Sequence, residues 1–379
     1  MPKILILMSD TGGGHRASAQ ALEAGFIEQF GDRFQVEIVD LWMDHTPFPL
    51  NQIPKSYSFL ATRTPWAWRF IWRTGERPGP ARFVQNTATR YAHRQVETLF
   101  RAQQPDLIIS VHPLLQTLSL SVMADMGWDL PFVTVVTDLA SVHPTWFHPG
   151  VDRCFVASQA AYDRGIRAGL RPAQLGIHGL PIRPIFAQPS RPPAILRRAL
   201  QMDPDLPAVL VAGGGEGMGP VGQIARSVAV ALAAPGAPSG QMVVICGRNR
   251  KLKAELDAQT WPIPVQIHGF VDNMPDWMAA CDCIVTKAGP GTIAEALVRG
   301  LPLLLSGFIP GQEEGNVPFV VEGGAGAFST DPQEMGRIIA RWFGPERENL
   351  ARMARRAEKM GAPHATQQIV VEIAKMVRG

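Results

Sequence analysis

Three glycine-rich stretches constrain the fold of this chain most strongly, because each stands between a short apolar run and a helical pattern. The first is SDTGGGHRASA at 9–19, after the apolar run 4–8; the others are GGGEGMG at 213–219 and KAGPGT at 287–292. Short apolar runs alternate with helical patterns along the whole sequence, which is typical of parallel sheets built from βαβ units. The sequence therefore predicts an α/β fold.

The predicted elements fall into two series, separated by a proline-rich stretch. Strands are predicted at 3–8, 34–40, 106–111, 132–137, 153–157, 208–212, 242–246, 264–268, 282–286 and 302–305. Helices are predicted at 15–30, 86–103, 159–168, 220–234, 291–299, 332–343, 346–360 and 364–378. We expect two doubly wound, Rossmann-like domains that face a central cleft, where the carboxyl ends of the strands meet.

The domain boundaries follow from chain length and proline content. The 379 residues exceed the ~100–200 that one domain usually needs. We predict an N-terminal domain at 1–180, a linker at 181–207 that holds seven prolines, and a C-terminal domain at 208–360. Residues 361–379 are predicted to form a helix that returns toward the N-terminal domain.

Composition and charge exclude several classes of protein. A net charge of +3 is too small to indicate a nucleic-acid partner. The four cysteines form no CxxC pair, so neither a disulfide framework nor a zinc site is expected. The most lipid-like segment, 107–126, is interrupted by polar residues and is interpreted as a strand and a helix. These features fit a soluble or peripherally attached protein in a reducing compartment.

Residues 42–85 interrupt the alternation of strands and helices with aromatic and basic side chains. Between 63 and 82 there are five arginines and one glutamate. Two interpretations stay open at this point: a membrane interface, which indole rings and guanidinium groups favour, or a helical insertion with a tryptophan core and a solvated basic face. The residues assigned to acceptor or membrane contact here are Trp66, Trp68, Arg69, Trp72 and Arg73.

The two later glycine loops are candidate phosphate sites. Backbone amides at a helix N-terminus bind anions, and Gly213, Gly214 and Gly215 precede one predicted helix. Gly289, Pro290, Gly291 and Thr292 open another. Glu295 lies one turn into that second helix, where a carboxylate can accept hydrogen bonds from ribose hydroxyl groups. The alternatives are a glycine turn that packs helix on sheet, and a first-turn acid that only offsets the helix dipole.

The opening loop also matches a dinucleotide-binding pattern. Gly12, Gly14 and Ala17 have the G-x-G-x-x-A spacing, and Asp40 ends the next predicted strand. The turn is too long for the usual tight crossing, however, and His15 stands where a pyrophosphate needs bare backbone. An NAD(P)-dependent oxidoreductase is therefore an alternative function, and a non-catalytic nucleotide-binding protein is another.

His15 and Asp138 are the candidate catalytic residues. His15 is predicted to start a helix, whose dipole would lower its pKa and keep it a neutral base. Asp138 follows a predicted strand and is expected to orient a base or bind an acceptor. The alternatives are a capping or structural histidine and a carboxylate that caps a helix or turn.

Five stretches carry a family resemblance: ILILMSDTGGGHRASA (4–19), FVTVVTDLASVHPTWFHP (132–149), GLPIRPIF (179–186), GFVDNMPDWMAACDCIVTKAGPGTIAEALVRGLPLLL (269–305) and IPGQEEGNVPFVVEGGAG (309–326). They resemble monogalactosyldiacylglycerol synthases and the processive diacylglycerol glucosyltransferases. More distantly they resemble the lipid-linked N-acetylglucosaminyltransferase of peptidoglycan synthesis. The resemblance implies a glycosyltransferase of GT-B architecture.

The resemblance also implies roles for individual residues. The backbone at Phe270 and Val271 would bind uracil, Glu295 the ribose, and the two later glycine loops with Asn316 the diphosphate. Gln312 and Glu313 would contact the donor sugar. His15 would deprotonate the acceptor hydroxyl, which Gly13 and Gly14 would let approach the backbone. The reaction would invert the anomeric carbon and require no metal or cofactor.

The leading hypothesis is therefore a UDP-sugar:1,2-diacylglycerol 3-β-glycosyltransferase. UDP-galactose is favoured over UDP-glucose on the wording of the motifs, and a GT-B transferase for another lipid-linked acceptor is an alternative. Expected partners are the UDP-sugar, diacylglycerol and anionic membrane lipids, with no nucleic acid; the oligomeric state is left open. The expected location is peripheral, on the cytoplasmic face of the cell membrane.

Overall fold

The structure is a computed structural model that describes residues 1–10, 13–52, 64–76 and 78–377. The chain divides into two compact units. The first comprises Met1–Pro184, Ile309–Gly315 and Pro363–Gly379, and the second comprises Ile185–Phe308 and Asn316–Ala362. Gly12 of the opening glycine loop lies outside the described residues. So do Arg63 and Arg77, two of the five arginines between 63 and 82, and the side chain of Arg82.

The first unit is built on a parallel sheet with the strand order β2-β1-β3-β4-β5-β6. Its strands are β1 (Lys3–Met8), β2 (Gln35–Asp40), β3 (Leu107–Ser110), β4 (Phe132–Val135), β5 (Arg153–Val156) and β6 (Leu175–Ile177). The register pairs Ile6 of β1 with Ile38 of β2 and with Ile109 of β3. The chain order reverses between β1 and β3, which makes this the switch point of the sheet.

The second unit repeats this architecture with the strand order β12-β11-β10-β7-β8-β9. Its strands are β7 (Ala208–Ala212), β8 (Gln241–Ile245), β9 (Val265–His268), β10 (Cys283–Thr286), β11 (Leu303–Leu305) and β12 (Gly326–Phe328). All of their pairings are parallel. The switch point of this sheet lies between β7 and β10.

Helices cover the faces of the two sheets. In chain order they are α1 (Gly14–Phe30), α2 (Leu41–Asp44), α3 (Pro65–Gly75), α4 (Pro78–Gln103), α5 (Gln116–Asp125), α6 (Gln159–Arg167), α7 (Pro193–Ala199), α8 (Val221–Leu232), α9 (Arg250–Asp257), α10 (Met274–Ala280), α11 (Pro290–Val298), α12 (Asn316–Glu322), α13 (Pro332–Phe343), α14 (Arg347–Met360) and α15 (Ala365–Ala374). Short 3-10 turns occur at Gly31–Arg33, Leu50–Gln52, Pro144–Trp146, Pro172–Gln174 and Pro184–Phe186. In the described part of the chain, no helix has the length and apolar character needed to cross a membrane.

Burial on both faces explains why β1 is a continuous apolar run. Leu5 and Leu7 point into one core, whereas Ile4 and Ile6 point into the core on the opposite face. All four side chains are fully buried. Each contributes about 1.5–3 kcal/mol by leaving water, so the strand cannot shift its register without a large loss of stability. The carboxyl end of β1 is therefore held at a defined place.

The fold class predicted from sequence is confirmed. The structure adds elements that periodicity did not predict, including β6 and the short helices α2, α7, α9, α10 and α12. These elements span between three and eight residues, so each contains too few repeats for a pattern to emerge. The stretch 181–207, predicted to be a linker, contains α7, and the unit boundary at Pro184 falls within it.

The C-terminal segment belongs to the first unit, where α15 packs on α1. A Cβ added to Gly25 of α1 would lie 2.7 Å from the Thr366 methyl carbon of α15, so this glycine permits close packing of the two helices. Thr366 also exchanges hydrogen bonds with the backbone of Ile182. Together these contacts tie the end of the chain to the helix that carries His15.

Candidate active site

His15 lies in the first turn of α1, directly above the carboxyl end of β1. The helix begins with Gly13 in the left-handed region, at a φ of 81°. The His15 side chain is only 7% exposed. Its Nδ1 atom lies 2.8 Å from Oγ1 of Thr137, which follows β4. An added Cβ at Gly13 or Gly14 would meet no atom within 4 Å, so the space beside this backbone is open.

The His15 ring is neutral at physiological pH. Burial lowers its pKa from 6.5 to about 4, and this effect outweighs the hydrogen bond to the Val111 carbonyl and the attraction of Asp10, which both favour the charged form. Sequence reasoning expected a lowered pKa but attributed it to the helix dipole. The structure gives desolvation as the main cause, because the ring is enclosed by other side chains.

His112 and Trp146 form much of that enclosure, and neither was singled out from the sequence. The centroids of the His15 and His112 rings are 4.7 Å apart, and those of His15 and Trp146 are 5.9 Å apart. The Leu114 amide donates to Nδ1 of His112. Burial, together with repulsion from a charged His15, holds the pKa of His112 well below its usual value. Sheet topology explains why the two histidines meet: His15 follows β1 and His112 follows β3, the neighbouring strands at the switch point.

Asp138 is buried and lies three residues after the end of β4. The Trp146 indole N–H donates to its Oδ2 atom at 2.7 Å. Burial raises the pKa of Asp138 from 3.8 to about 7, against hydrogen bonds from Trp146 and Gln312 that favour the carboxylate, and nearby Glu313 raises it further. Asp138 therefore holds the indole that packs near the His15 ring.

Residues 309–315 are part of the first unit, although the flanking residues belong to the second. Gln312 bonds to Asp138, and the Gly315 amide donates to Oγ of Ser141 at 2.6 Å. Glu313 is 3% exposed, and its carboxylate accepts from the amide of Ile309 at 2.9 Å. Gln312, predicted with Glu313 to bind the donor sugar, thus contacts Asp138, which in turn accepts from Trp146 beside His15.

The loop at 213–219 follows β7 and precedes α8. Packing explains two of its glycines: a Cβ at Gly213 would lie 2.4 Å from the Met218 carbonyl oxygen, and one at Gly217 would lie 2.1 Å from that of Cys246. Gly214 has a φ of 72°, which favours glycine. Gly215 has more room, since an added Cβ would lie 3.8 Å from the Arg248 guanidinium. The structure therefore shows a tightly packed turn that has free space at Gly215, next to the guanidinium of Arg248.

Arg248 connects this turn with the predicted uracil-binding segment. Its amide donates to the Gly215 carbonyl, and its guanidinium pairs with Glu216 at 2.8 Å. The same guanidinium lies 4.8 Å from the centre of the Phe270 ring, which is 54% exposed. Val271 follows Phe270 and is half-buried. Sequence reasoning missed Arg248, which a search for cations after each predicted strand would have found.

The loop at 287–292 follows β10 and opens α11, as predicted. Gly289 caps the helix and Pro290 takes its first position, where the missing N–H costs nothing. A Cβ on Gly291 would meet no atom within 4 Å, so the N-terminus of α11 is open. Asn316 is buried and donates to the Ala288 carbonyl at 2.9 Å, which fixes the loop. Thr292 and Glu295 lie half-buried in this helix.

Asp40 does not serve the role that the dinucleotide pattern gave it. Its carboxylate caps α2 by accepting from the Met43 amide, and it also accepts from the Asp10 amide. Arg16 pairs with Asp10 at 3.0 Å beside it. Only Asp40 itself is buried in this group, and its contacts explain it as a structural residue that holds the Asp10 backbone and the start of α2.

Helix α3 presents two different faces. Trp66, Arg69, Phe70 and Arg73 are exposed, with Trp66 at 76% and Phe70 at 69%. Trp68 and Trp72 are half-buried on the opposite face, with ring centroids 6.1 Å apart. Trp42, earlier in the same segment, is part of the hydrophobic core. The segment therefore has an inner tryptophan layer, as the helical-insertion interpretation predicts, and an exposed aromatic and basic face, for which membrane contact stays a prediction.

Comparison with known families identifies both halves of the chain. The family described as monogalactosyldiacylglycerol (MGDG) synthase matches residues 15–182, and the glycosyltransferase family 28 C-terminal domain matches residues 208–317. Monogalactosyldiacylglycerol synthase 1, chloroplastic, of Arabidopsis thaliana is 50% identical over 99% of this chain and 71% of its own length. The probable chloroplastic monogalactosyldiacylglycerol synthase of Glycine max is 49% identical over 99% of this chain and 72% of its own.

Solved structures with low sequence identity share the fold. MurG of Acinetobacter baumannii aligns with a TM-score of 0.62 at 16% identity, covering 99% of this chain and all of that one. Anabaena HepE in complex with UDP-glucose aligns with a TM-score of 0.54 at 17% identity, with 99% of this chain and 100% of that chain covered. The predicted GT-B architecture is confirmed.

The predicted location is wrong. The relatives from Arabidopsis thaliana, Glycine max and Spinacia oleracea are all named as chloroplastic proteins. This contradicts the expectation of a protein on the cytoplasmic face of the cell membrane. The motifs on which that expectation depended specify chemistry, and they carry no information about the compartment.

The titration of Asp138 gives a test of its buried environment. Because the folded-state pKa of about 7 lies above the ordinary 3.8, the protonated form favours folding, and this stabilisation is lost as the pH rises through that interval. Asp138→Asn has a side chain that stays neutral at every pH, and its amide oxygen can accept the hydrogen bond from Trp146. We expect its free energy of unfolding, relative to wild type, to increase by about 2 kcal/mol between pH 5 and pH 8.

Urea-induced unfolding at the two pH values measures this difference, and the exposed Asp32→Asn is the matched control. A constant difference between Asp138→Asn and wild type across this range would contradict the buried, proton-binding state of Asp138.

Proposed function

The chain belongs to the monogalactosyldiacylglycerol synthase family, and we infer that it transfers galactose from UDP-galactose to the free hydroxyl of 1,2-diacylglycerol. The observation that carries this conclusion is the 49–50% identity to named synthases over 99% of the chain. The presence of both family domains in their expected order supports it. Transfer from an α-linked UDP-sugar with inversion yields a β-galactosyl lipid.

His15 is the proposed general base. A primary alcohol is a weak nucleophile, so a base must remove its proton as the bond to the sugar forms. A neutral imidazole keeps one nitrogen with a lone pair for this purpose, and the low pKa of His15 ensures that form. The Thr137 hydroxyl and the Val111 carbonyl hold the ring in place. Open space over Gly13 and Gly14 lets the hydroxyl reach it.

The imidazolium that forms in this step needs stabilisation within the buried site. Asp10 lies close enough to favour the charged form of His15, and the Val111 carbonyl accepts a hydrogen bond from the ring. Both effects raise the proton affinity of His15 as the proton arrives. They compensate in part for the desolvation that otherwise makes the ring a weak base.

The second unit is proposed to bind UDP and to stabilise it as the leaving group. The amides of Gly291 and Thr292 lie in the first turn of α11, whose dipole favours negative charge. Arg248, beside Gly215, brings a guanidinium next to the other glycine loop. Phe270 and Val271 are assigned to uracil and Glu295 to ribose, with Asn316 fixing the loop at Ala288. We propose that these groups need no metal ion or cofactor.

Gln312 and Glu313 are proposed to bind the hydroxyl groups of the donor sugar. Galactose and glucose differ only in the orientation of the hydroxyl at C4. A site that forms hydrogen bonds to one hydroxyl discriminates strongly, because the wrong epimer leaves buried polar groups without partners. Gln312 and Glu313 are polar, and Asp138 holds Gln312 in a defined position.

The exposed face of α3 is proposed to bind a bilayer that contains anionic lipids. Diacylglycerol is confined to membranes, so the enzyme must work at their surface. Trp66 and Phe70 place aromatic rings on the side of α3 that also carries Arg69 and Arg73. Aromatic rings enter the interface between lipid and water, and guanidinium groups pair with lipid phosphates.

The assigned reaction and base can be tested together. We expect the purified protein to transfer label from UDP-galactose to diacylglycerol in vesicles, and His15→Gln to lower kcat by about 10²–10⁴-fold because the general base is lost. Binding of UDP should be unchanged, and the exposed His364→Ala is the matched control. Labelled lipid made at the wild-type rate by His15→Gln would refute the role of His15; no labelled lipid from the wild type would refute the function.

Membrane binding by α3 is tested by sedimentation with vesicles. Replacing Trp66 and Phe70 together with serine should weaken binding to vesicles by at least about tenfold, because each ring contributes on the order of 1 kcal/mol or more at the interface. Ile27→Ser with Val230→Ser removes two exposed apolar side chains elsewhere and should have little effect. Equal losses in the two double variants would contradict a specific docking face on α3.

A further inference from the structure

The inner face of α3 packs against the loop after β4. The rings of Trp72 and His143 have centroids 4.7 Å apart, and Nε2 of His143 lies 3.3 Å from the Trp72 carbonyl oxygen. A Cβ added to Gly75 would lie 3.0 Å from the same His143 nitrogen. Trp68, Trp72 and Gly75 have the spacing of one helix face, opposite to Trp66 and Phe70. The helix thus has one face toward the unit and one toward solvent.

Trp72 also contacts the segment 309–315. A Cβ built on Gly311 would lie 2.8 Å from two carbon atoms of the Trp72 indole, closer than real Cβ contacts. Gly311 adopts a φ of 81°, where other residues are strained. The indole therefore covers the backbone of Gly311 at a distance that only glycine permits.

Gly311 directly precedes the two residues assigned to the donor sugar. Two further anchors of this segment are the bond between Gln312 and Asp138 and the bond from the Gly315 amide to Ser141. Trp72 is the contact that comes from α3. A movement of α3 would therefore displace Gly311 through Trp72, and Gln312 is the next residue along the chain.

We propose that Trp72 is a positioning residue that couples bilayer binding by α3 to recognition of the donor sugar. The proposal rests on the proposed function, in which Gln312 and Glu313 bind the sugar and the outer face of α3 binds lipid. A bilayer that binds α3 in the position seen here favours the state in which Trp72 covers Gly311. The sugar-binding segment is then held ready, so the bilayer increases affinity for the UDP-sugar and leaves affinity for UDP unchanged.

Linkage makes the effect reciprocal. If vesicles tighten the binding of UDP-galactose, UDP-galactose must tighten the binding of vesicles by the same factor. UDP lacks the sugar and should do neither. This contrast separates coupling through Gln312 and Glu313 from a general effect of lipid on the second unit.

The test is a set of dissociation constants measured by calorimetry on the full chain. Vesicles of phosphatidylglycerol and phosphatidylcholine should tighten UDP-galactose binding by wild type about 5- to 10-fold, within the usual range of allosteric coupling, and should not change UDP binding. Trp72→Ala should abolish the tightening while the protein still binds vesicles through Trp66 and Phe70. Trp72→Phe, which keeps a ring over Gly311, should retain most of it.

A double-mutant cycle checks the contact itself. Gly311→Ala should weaken UDP-galactose binding in the presence of vesicles, because its Cβ meets the indole, and this loss should shrink in the Trp72→Ala background. Gly79→Ala, where an added Cβ meets no atom within 4 Å, is the control. If Trp72→Ala misfolds, Trp72→Phe and Gly311→Ala still report on the contact through the same constants.

The outcomes distinguish the two proposals. Absence of UDP-galactose binding by the wild-type protein would overturn the proposed function and this inference with it. Binding that is insensitive to vesicles, or an equal effect of vesicles on UDP and UDP-galactose, would overturn the inference alone. Additive effects of Trp72→Ala and Gly311→Ala would also overturn it.

Discussion

Burial of one imidazole ring is the constraint on which the proposed chemistry depends. His15 is surrounded by His112, Trp146 and Thr137, and removal of water from the ring keeps it uncharged. The same burial disfavours the cation that proton transfer produces, so Asp10 and the Val111 carbonyl are needed as partial compensation. Asp138 stabilises this arrangement because it accepts a hydrogen bond from the Trp146 indole.

Sheet topology explains why the relevant loops come together within each unit. In the first sheet, His15 and His112 follow the neighbouring strands β1 and β3, where the order of the chain reverses. In the second sheet, the two glycine loops follow β7 and β10, which are neighbours in the same way. Loops at such switch points diverge to opposite faces of the sheet and leave room for a ligand. One rule of parallel sheets therefore accounts for the place of the proposed base in one unit and of the proposed anion site in the other.

Local pattern was sufficient to predict ten of the twelve strands that the described residues form, most of the long helices and the position of the two later glycine loops, but it missed Arg248 beside Gly215. It predicted His15 because the histidine interrupts an otherwise ordinary strand–glycine–helix junction. It did not predict His112, Trp146 or Thr137, because their contacts with His15 join parts of the chain far apart in sequence, 122 residues in the case of Thr137. The two faces of α3 were also beyond local pattern, since tryptophans on both faces look alike until packing separates them. Gly315 and Ser141, 174 residues apart, show the same limit for the segment 309–315, which is proposed to bind the donor sugar.

The proposed role of His15 as a base requires a neutral ring, and titration of the ring tests this protonation state. Histidine ring signals can be followed by NMR as the pH is lowered, with His15 assigned by the resonance that disappears in His15→Gln. We expect the ring to stay neutral through the physiological range and to titrate at about pH 4. A midpoint near 6.5, the ordinary histidine value, would contradict the enclosure of His15 and the reason given for its role as a base.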